Sequence, residues 1–193
     1  MLRKSLLLLL LCAPAAAAPT FVQEPQVILA SGVVQAMTGS YPTARLYYIL
    51  GSTIVLSATS ADGVTLTPDS GVRLSTFTEP RLDVSSITGL SIQPLSGGGF
   101  RMIYSAIGST GTAYSLFSAT STDGLAWAND TGTLLQATSS TTFIGFPSLV
   151  TLGTGDWRLY YIQDFNGGND PADRRVFTAL SANQGRNFTA ASS

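Results

Sequence analysis

One unit is written three times along this chain of 193 residues, and that repeat constrains the fold more than any other feature. Its first half ends in an Arg-aliphatic-aromatic run: Arg45-Leu46-Tyr47-Tyr48, then Arg101-Met102-Ile103-Tyr104, then Arg158-Leu159-Tyr160-Tyr161. Its second half reads SATSADGVTL at 57–66, SATSTDGLAW at 118–127 and TALSANQGRNF at 178–188. The three arginines recur at intervals of 56 and 57, while Asp62, Asp123 and Asn183 recur at 61 and 60, so two sets of landmarks agree on a period near 60. A third match aligns without gaps, GLSIQPLSGGGFR at 89–101 over FPSLVTLGTGDWR at 146–158. Self-similarity at a fixed period is the signature of a repeat architecture in which each unit buries its apolar face against the next.

Within each unit, short β-branched and aromatic runs alternate with Gly, Ser, Thr and Asp clusters, and no helical periodicity appears. Unit 2 predicts strands over Leu90–Leu95, Phe100–Ala106, Ala113–Thr120 and Ala126–Leu135. Unit 3 predicts Ser148–Leu152, Trp157–Gln163, Arg175–Ser181 and a strand starting at Asn187. Four antiparallel strands per repeat make a propeller blade, so the fold class is all-β and the architecture a β-propeller. The blades fall at about 33–74, 88–135 and 146–193, with 21–29 (FVQEPQVIL) reading as an isolated outer strand. Propellers close with roughly four to eight blades. Three blades therefore form an open arc, expected to be the N-terminal half of a five- or six-bladed ring. A homo-oligomer that completes the ring is the alternative, and the open blade edges predict self-association.

Composition prunes the chemistry. There is no His, one Cys (Cys12) and one Lys (Lys4). Met1 to Ala17 reads as a secretory leader: Arg3 and Lys4 form the charged start, Leu6 to Leu11 the apolar run, and Ala15 to Ala18 the small-residue cleavage region. Its removal leaves a chain without Lys, His or Cys, placed outside the cytoplasm, secreted or periplasmic. That excludes lysine Schiff bases, Ser-His-Asp and Cys-His nucleophiles, His or Cys zinc sites and disulfides. Ten basic residues against eleven acidic ones give no basic patch for nucleic acid. Beyond the leader, no apolar run approaches the roughly 18 residues of a membrane-spanning helix. No cofactor and no metal are expected, and what remains is carboxylate, tyrosine and arginine chemistry.

The turn between the third and fourth strands carries the most specific motif. In unit 3 it runs Ser181, Asn183, Gly185, Phe188. This resembles the Asp-box, SxDxGxxW, of sialidases and related propellers. Ser60, Asp62 and Gly63 in unit 1, and Ser121, Asp123 and Gly124 with Trp127 in unit 2, resemble its shortened form. Physically it is a hairpin turn: an Asx side chain bonds backbone amides, Gly supplies positive φ, and the aromatic packs the turn onto the blade. That assigns these residues to the fold. The repeating arginine is read in the same way, as a tie between neighbouring blades.

With the blade repeat and the aromatic second strands, the chain beyond the leader resembles the sialidase-like and glycosidase-like propellers of bacterial secreted proteins, including glycoside hydrolase families 43 and 32. The resemblance implies glycoside hydrolysis or glycan binding, with carbohydrate as the partner. Catalysis in such families implies a carboxylate pair or, in sialidases, a tyrosine nucleophile with an acid and three arginines. The sequence departs from both patterns. No FRIP-like arginine motif stands near the N-terminus, and Val33-Val34-Gln35-Ala36 occupies the place where families 43 and 32 carry an acid on the first inner strand.

Blade topology sorts the remaining acids by face. If the turns between strands 3 and 4 lie on one rim, then the loops between strands 2 and 3 and the blade-to-blade connections lie on the other. Asp62, Asp69, Asp123 and Asp130 fall on or near the turn side. Opposite them are Glu79, Arg81 and Asp83 in TEPRLDVSS, and Asp164, Asn166, Asn169, Asp170, Asp173, Arg174 and Arg175 in the DFNGGNDPADRR loop. Only there does a repeat depart from its siblings in a polar direction, and long polar loops on rigid scaffolds are where binding concentrates. Glu79 or Asp83 paired with Asp164 or Asp170 is the expected acid/base couple. Arg81, Arg174, Arg175, Asn166 and Asn169 are the expected substrate contacts. The alternative is a non-catalytic scaffold or binding module of the cell envelope.

Overall fold

The computed structural model describes residues 28–29, 32–40, 43–76, 87–108, 113–137, 143–164 and 171–190. The first sheet holds β1 (Ile28–Leu29), β2 (Gly32–Thr38), β3 (Ala44–Leu50), β4 (Ile54–Ser60) and β5 (Thr67–Pro68) in that spatial order, with β6 (Leu74–Ser75) also paired to β4. The second sheet runs β7 (Gly89–Pro94), β8 (Phe100–Ile107), β9 (Tyr114–Ser121) and β10 (Ala128–Asn129). The third runs β11 (Ile144–Thr151), β12 (Trp157–Asp164), β13 (Arg174–Ser181) and β14 (Thr189–Ala190). Every pairing within the sheets is antiparallel and, apart from β6 on β4, joins strands consecutive in the chain, and the described residues contain no α-helix. Each sheet is a propeller blade, and the fold is the all-β propeller predicted from the repeat.

Because side chains alternate between sheet faces, each second strand feeds two seams. On β8, Met102 and Tyr104 join Tyr47, Val55 and Leu74 in the core between blades 1 and 2. Ile103, from the opposite face, joins Leu116, Trp157, Leu159 and Tyr161 between blades 2 and 3. The repeated arginine ties the seams at the turn side. Arg45 Nη1 donates to the carbonyl of Asp123 (3.1 Å), and the Tyr47 hydroxyl donates to that of Gly124 (3.0 Å). At the next seam a Cβ on Gly185 would lie 3.0 Å from Arg101 Cδ, so the third turn rests on the second arginine.

The turns behave as hairpin devices. Gly63, Gly124 and Gly185 have φ of 78°, 75° and 77°, and each amide donates to the hydroxyl of Ser60, Ser121 or Ser181. Asp62 Oδ1 accepts from the amides of Val64 and Thr65, Asp123 Oδ1 from those of Leu125 and Ala126, and Asn183 Oδ1 from that of Asn187.

Three strand expectations are corrected. The fourth strand of unit 2 does not run through Ala126–Leu135: it pairs at Ala128–Asn129 and again only at Leu135, opposite Leu116. Between them, Asp130 turns back onto Ser118 and Arg101 while Gly132 takes φ 81° and lifts the chain off the sheet. The first strand of unit 3 starts earlier, at Ile144, because a bulge between Gly145 and Ser148 absorbs Pro147, which has no amide to give the ladder. Of the outer strand read at 21–29, only Ile28–Leu29 lies within the described residues. It pairs with Val33 and Gly32 on the innermost strand of blade 1, not on an outer edge.

Candidate functional site

The innermost strands β2, β7 and β11 converge on an open crevice of about 260 Å³, lined by Gln35 to Met37, Gly89 to Gln93 and Phe146 to Leu149. Side chains hold its two later walls together. Gln93 Nε2 donates to the Leu149 carbonyl (2.9 Å), and the Leu149 amide donates to Ser91 Oγ (3.1 Å). Among the described residues the lining is amide, hydroxyl and apolar, without an ionisable group.

Phe146 dominates the mouth. It sits in the β11 bulge with φ 51°, a left-handed conformation that costs a bulky residue on the order of 1–3 kcal/mol, yet the residue is 44% exposed. Two glycines make room. A Cβ on Gly89 would lie 3.3 Å from Phe146 Cα, and one on Gly145 would collide with the Phe143 ring at 2.5 Å. Phe143 then backs Phe146, their ring centroids 5.5 Å apart, and packs in turn against Tyr114 in a tilted contact at 5.2 Å.

Beneath this aromatic cluster lies Asp164, expected as a catalytic carboxylate. It ends β12, is fully buried, and donates its backbone amide to the Phe143 carbonyl (3.2 Å). Arg174 Nε bonds its Oδ1 at 3.2 Å, and the Arg174 guanidinium lies over the Phe143 ring, 4.2 Å from its centroid. Both residues therefore brace the aromatic mouth. Arg175 is exposed and donates to the carbonyls of Ala172 and Arg174. Glu79, Arg81, Asp83, Asn166, Asn169 and Asp170 lie outside the described residues.

Strand directions put Asp164 and Arg174 at the end of blade 3 opposite its Ser-x-Asn turn. β7 and β11 start at the end of the blades where β8 and β12 finish, so inner-strand starts and strand 2–3 loops share a face, opposite the Ser-x-Asp/Asn turns. Sequence reasoning nevertheless missed Phe146, Gln35, Ser91 and Gln93. One signal was present: the gap-free repeat alignment sets Phe146 on Gly89, the least conservative exchange in that match.

On the turn side, hydrogen bonds to Asp62 from Thr65 and Val64 hold its carboxyl down at about 2. Bonds from the Ala126 and Leu125 amides likewise lower Asp123. Burial works to raise Asp69, but bonds from Ser57 and Arg45 outweigh it and leave its pKa lowered. All three are committed to structure.

No protein-family model matches the chain, and no curated protein matches it in sequence. Solved structures do. A thermostable family-43 glycoside hydrolase superposes with TM-score 0.67 at 15% identity, over 84% of this chain and 55% of that one. An endo-arabinase from Bacteroides thetaiotaomicron gives 0.65 at 9% identity, over 83% and 54%. A GH32 β-fructofuranosidase from Bombyx mori gives 0.62 at 13% identity, over 84% and 37%. The chain thus spans about half, or less, of the length of the structures it matches. At such identities the likeness is one of fold.

Proposed function

We propose that this chain is a glycosidase-like propeller that holds a glycan at its axial mouth without hydrolysing it, exported by its N-terminal leader and descended from the Asp-box architecture. One observation carries the reading: the crevice where the three inner strands meet presents an exposed, strained Phe146 beside carboxamides and hydroxyls, with no carboxylate in its described lining. An aromatic face stacks on the apolar face of a sugar ring, while Gln and Ser exchange hydrogen bonds with hydroxyls. Hydrolysis would need two carboxylates about 5–10 Å apart across the scissile bond. Asp164 is instead buried in an ion pair. The scaffold likeness to glycoside hydrolases supports carbohydrate as the ligand class, and the uncovered face of blade 3 supports self-association.

Titration calorimetry with arabino-, fructo- and xylo-oligosaccharides, alongside turnover assays on the matching chromogenic glycosides, tests this. Saturable binding that Phe146→Ala weakens at least tenfold, with no turnover, is the expected result. Turnover abolished by Glu79→Gln or Asp83→Asn would replace it with the hydrolytic reading.

A further inference from the structure

A second crevice, of about 440 Å³, opens far from the axial mouth, between the outer half of blade 2 and the turn of blade 3. The repeat explains why it is open. Blade 1 carries Asp69-Ser70-Gly71-Val72-Arg73-Leu74 where blade 2 carries Asp130-Thr131-Gly132-Thr133-Leu134-Leu135. The two segments are built alike: the Asp69 and Asp130 amides donate to the Ser57 and Ser118 carbonyls (both 2.9 Å), and Ser57 and Ser118 bond the two carboxylates (both 2.6 Å). At the first seam the Arg73 side chain fills the slot, bonding the Leu125 carbonyl of the next turn (3.0 Å) and the Ser70 carbonyl. At the second seam Leu134 replaces Arg73, and Arg186 replaces Leu125. The cation has moved to the opposite wall and the slot stays empty of side chains.

What lines it is polar. Arg101, Ser118, Thr120, Asp130, Thr131 and Thr133 form one side, with Arg186 and Asn187 on the other. Arg101 is 5% exposed, and its Nε is buried without a hydrogen-bond partner among the described residues. Its Nη1 already neutralises Asp130, on the same oxygen that Ser118 bonds. The Arg186 guanidinium, exposed and without a described partner, leaves the crevice one positive charge in excess. Guanidinium donors bind carboxylate oxygens in charge-assisted pairs, threonine hydroxyls and a carboxamide suit a polyol, and the volume falls within the roughly 300–1,000 Å³ of small-molecule sites.

We propose that the crevice between blades 2 and 3 is a second ligand site, for a carboxylate-bearing sugar of the uronate class. The site does not depend on the axial one. Its probe is digalacturonate, followed through the Arg Nε–H resonances of 15N-labelled protein and by calorimetry, with galactobiose and acetate as controls. Digalacturonate shifts the Arg101 and Arg186 Nε–H signals saturably and binds at least tenfold more tightly than either control. Arg186→Gln weakens it at least tenfold, and Leu134→Arg, which restores the plug of the first seam, abolishes it with the backbone spectrum otherwise preserved. Phe146→Ala leaves it intact, which separates this site from the axial mouth. The absence of a saturable shift, unaltered affinity in the Leu134→Arg protein, or acetate binding as tightly as the uronide would each overturn the assignment.

Discussion

At the scale of the residue, the Ser-x-Asp/Asn turns concentrate the most demanding geometry. Gly124 combines φ 75° with a neighbour on the side where a Cβ would stand, 2.6 Å from the Tyr47 hydroxyl. Gly124→Ala is therefore both strained and sterically blocked, and is expected to cost about 3 kcal/mol in urea unfolding. Gly97→Ala, where a Cβ would meet nothing within 4 Å, is expected to be neutral or stabilising by up to about 1 kcal/mol. The same turns set an acid limit. Asp62, lowered to about 2, and Asp123, lowered by the same kind of amide bonds, are deprotonated in the folded chain at pH values where the unfolded chain has taken up protons. Their contribution is fully present above the ordinary aspartate value near 4 and is lost as pH falls toward 2. Thermal unfolding followed from pH 5 to pH 2 should decline less steeply in an Asp62→Asn/Asp123→Asn protein. The third turn already carries Asn183, which accepts the same kind of bond without titrating.

At the scale of the element, the outer segments of blades 1 and 2 are each pinned by an arginine, an aspartate and a serine, and the two examples differ in burial. The Arg101 side chain is 6% exposed, and that of Arg45 22%. Removing the carboxylate strands a cation, and the penalty grows with its burial. Asp130→Ala should thus destabilise by about 3 kcal/mol and Asp69→Ala by less, in paired equilibrium unfolding experiments. A reversed order would show that the kink, not the ion pair, anchors the outer strand. These elements also mark where sequence reading succeeds. The second and third strands were legible to within a residue or so because Arg-aliphatic-aromatic and SATS runs alternate cleanly over two buried faces. The fourth strands were not, since Asp130 and Gly132 read as turn residues yet nothing local says that Leu135 rejoins the sheet. The axial site was harder still. Gln35, Ser91 and Phe146 come from three blades, and their meeting depends on how sheets pack around an axis, which no local pattern encodes. Asp164 was singled out for its charge, while its burial under Phe143 is a tertiary fact.

At the scale of the molecule, the three blades are equivalent in design and unequal in cover. Tyr47 and Ile103, on the leading faces of blades 1 and 2, are fully buried by the blade that follows. The corresponding face of blade 3 carries Val150, Arg158 and Leu180 in one register and Tyr160 in the next, with Val176 beyond them. Val150, Tyr160, Val176 and Leu180 are all exposed, Val176 at 69%. On the same face the Arg158 Nε is buried without a partner among the described residues, where Arg45 and Arg101 meet the next turn. A contiguous apolar sheet face of this kind drives association in water. Val176→Ser/Leu180→Ser should therefore lower both the weight-average mass in sedimentation equilibrium and the binding of a hydrophobic dye. Stability should change by no more than about 0.5 kcal/mol, because both side chains already face solvent. Ile103→Ser, at a buried position on the leading face of blade 2, should instead cost about 3 kcal/mol or more by opening a cavity and burying a hydroxyl. Equal stability losses in the two proteins would mean that the blade 3 face is covered in solution. An unchanged mass would mean that it stays bare, its apolar side chains too dispersed to hold a second surface.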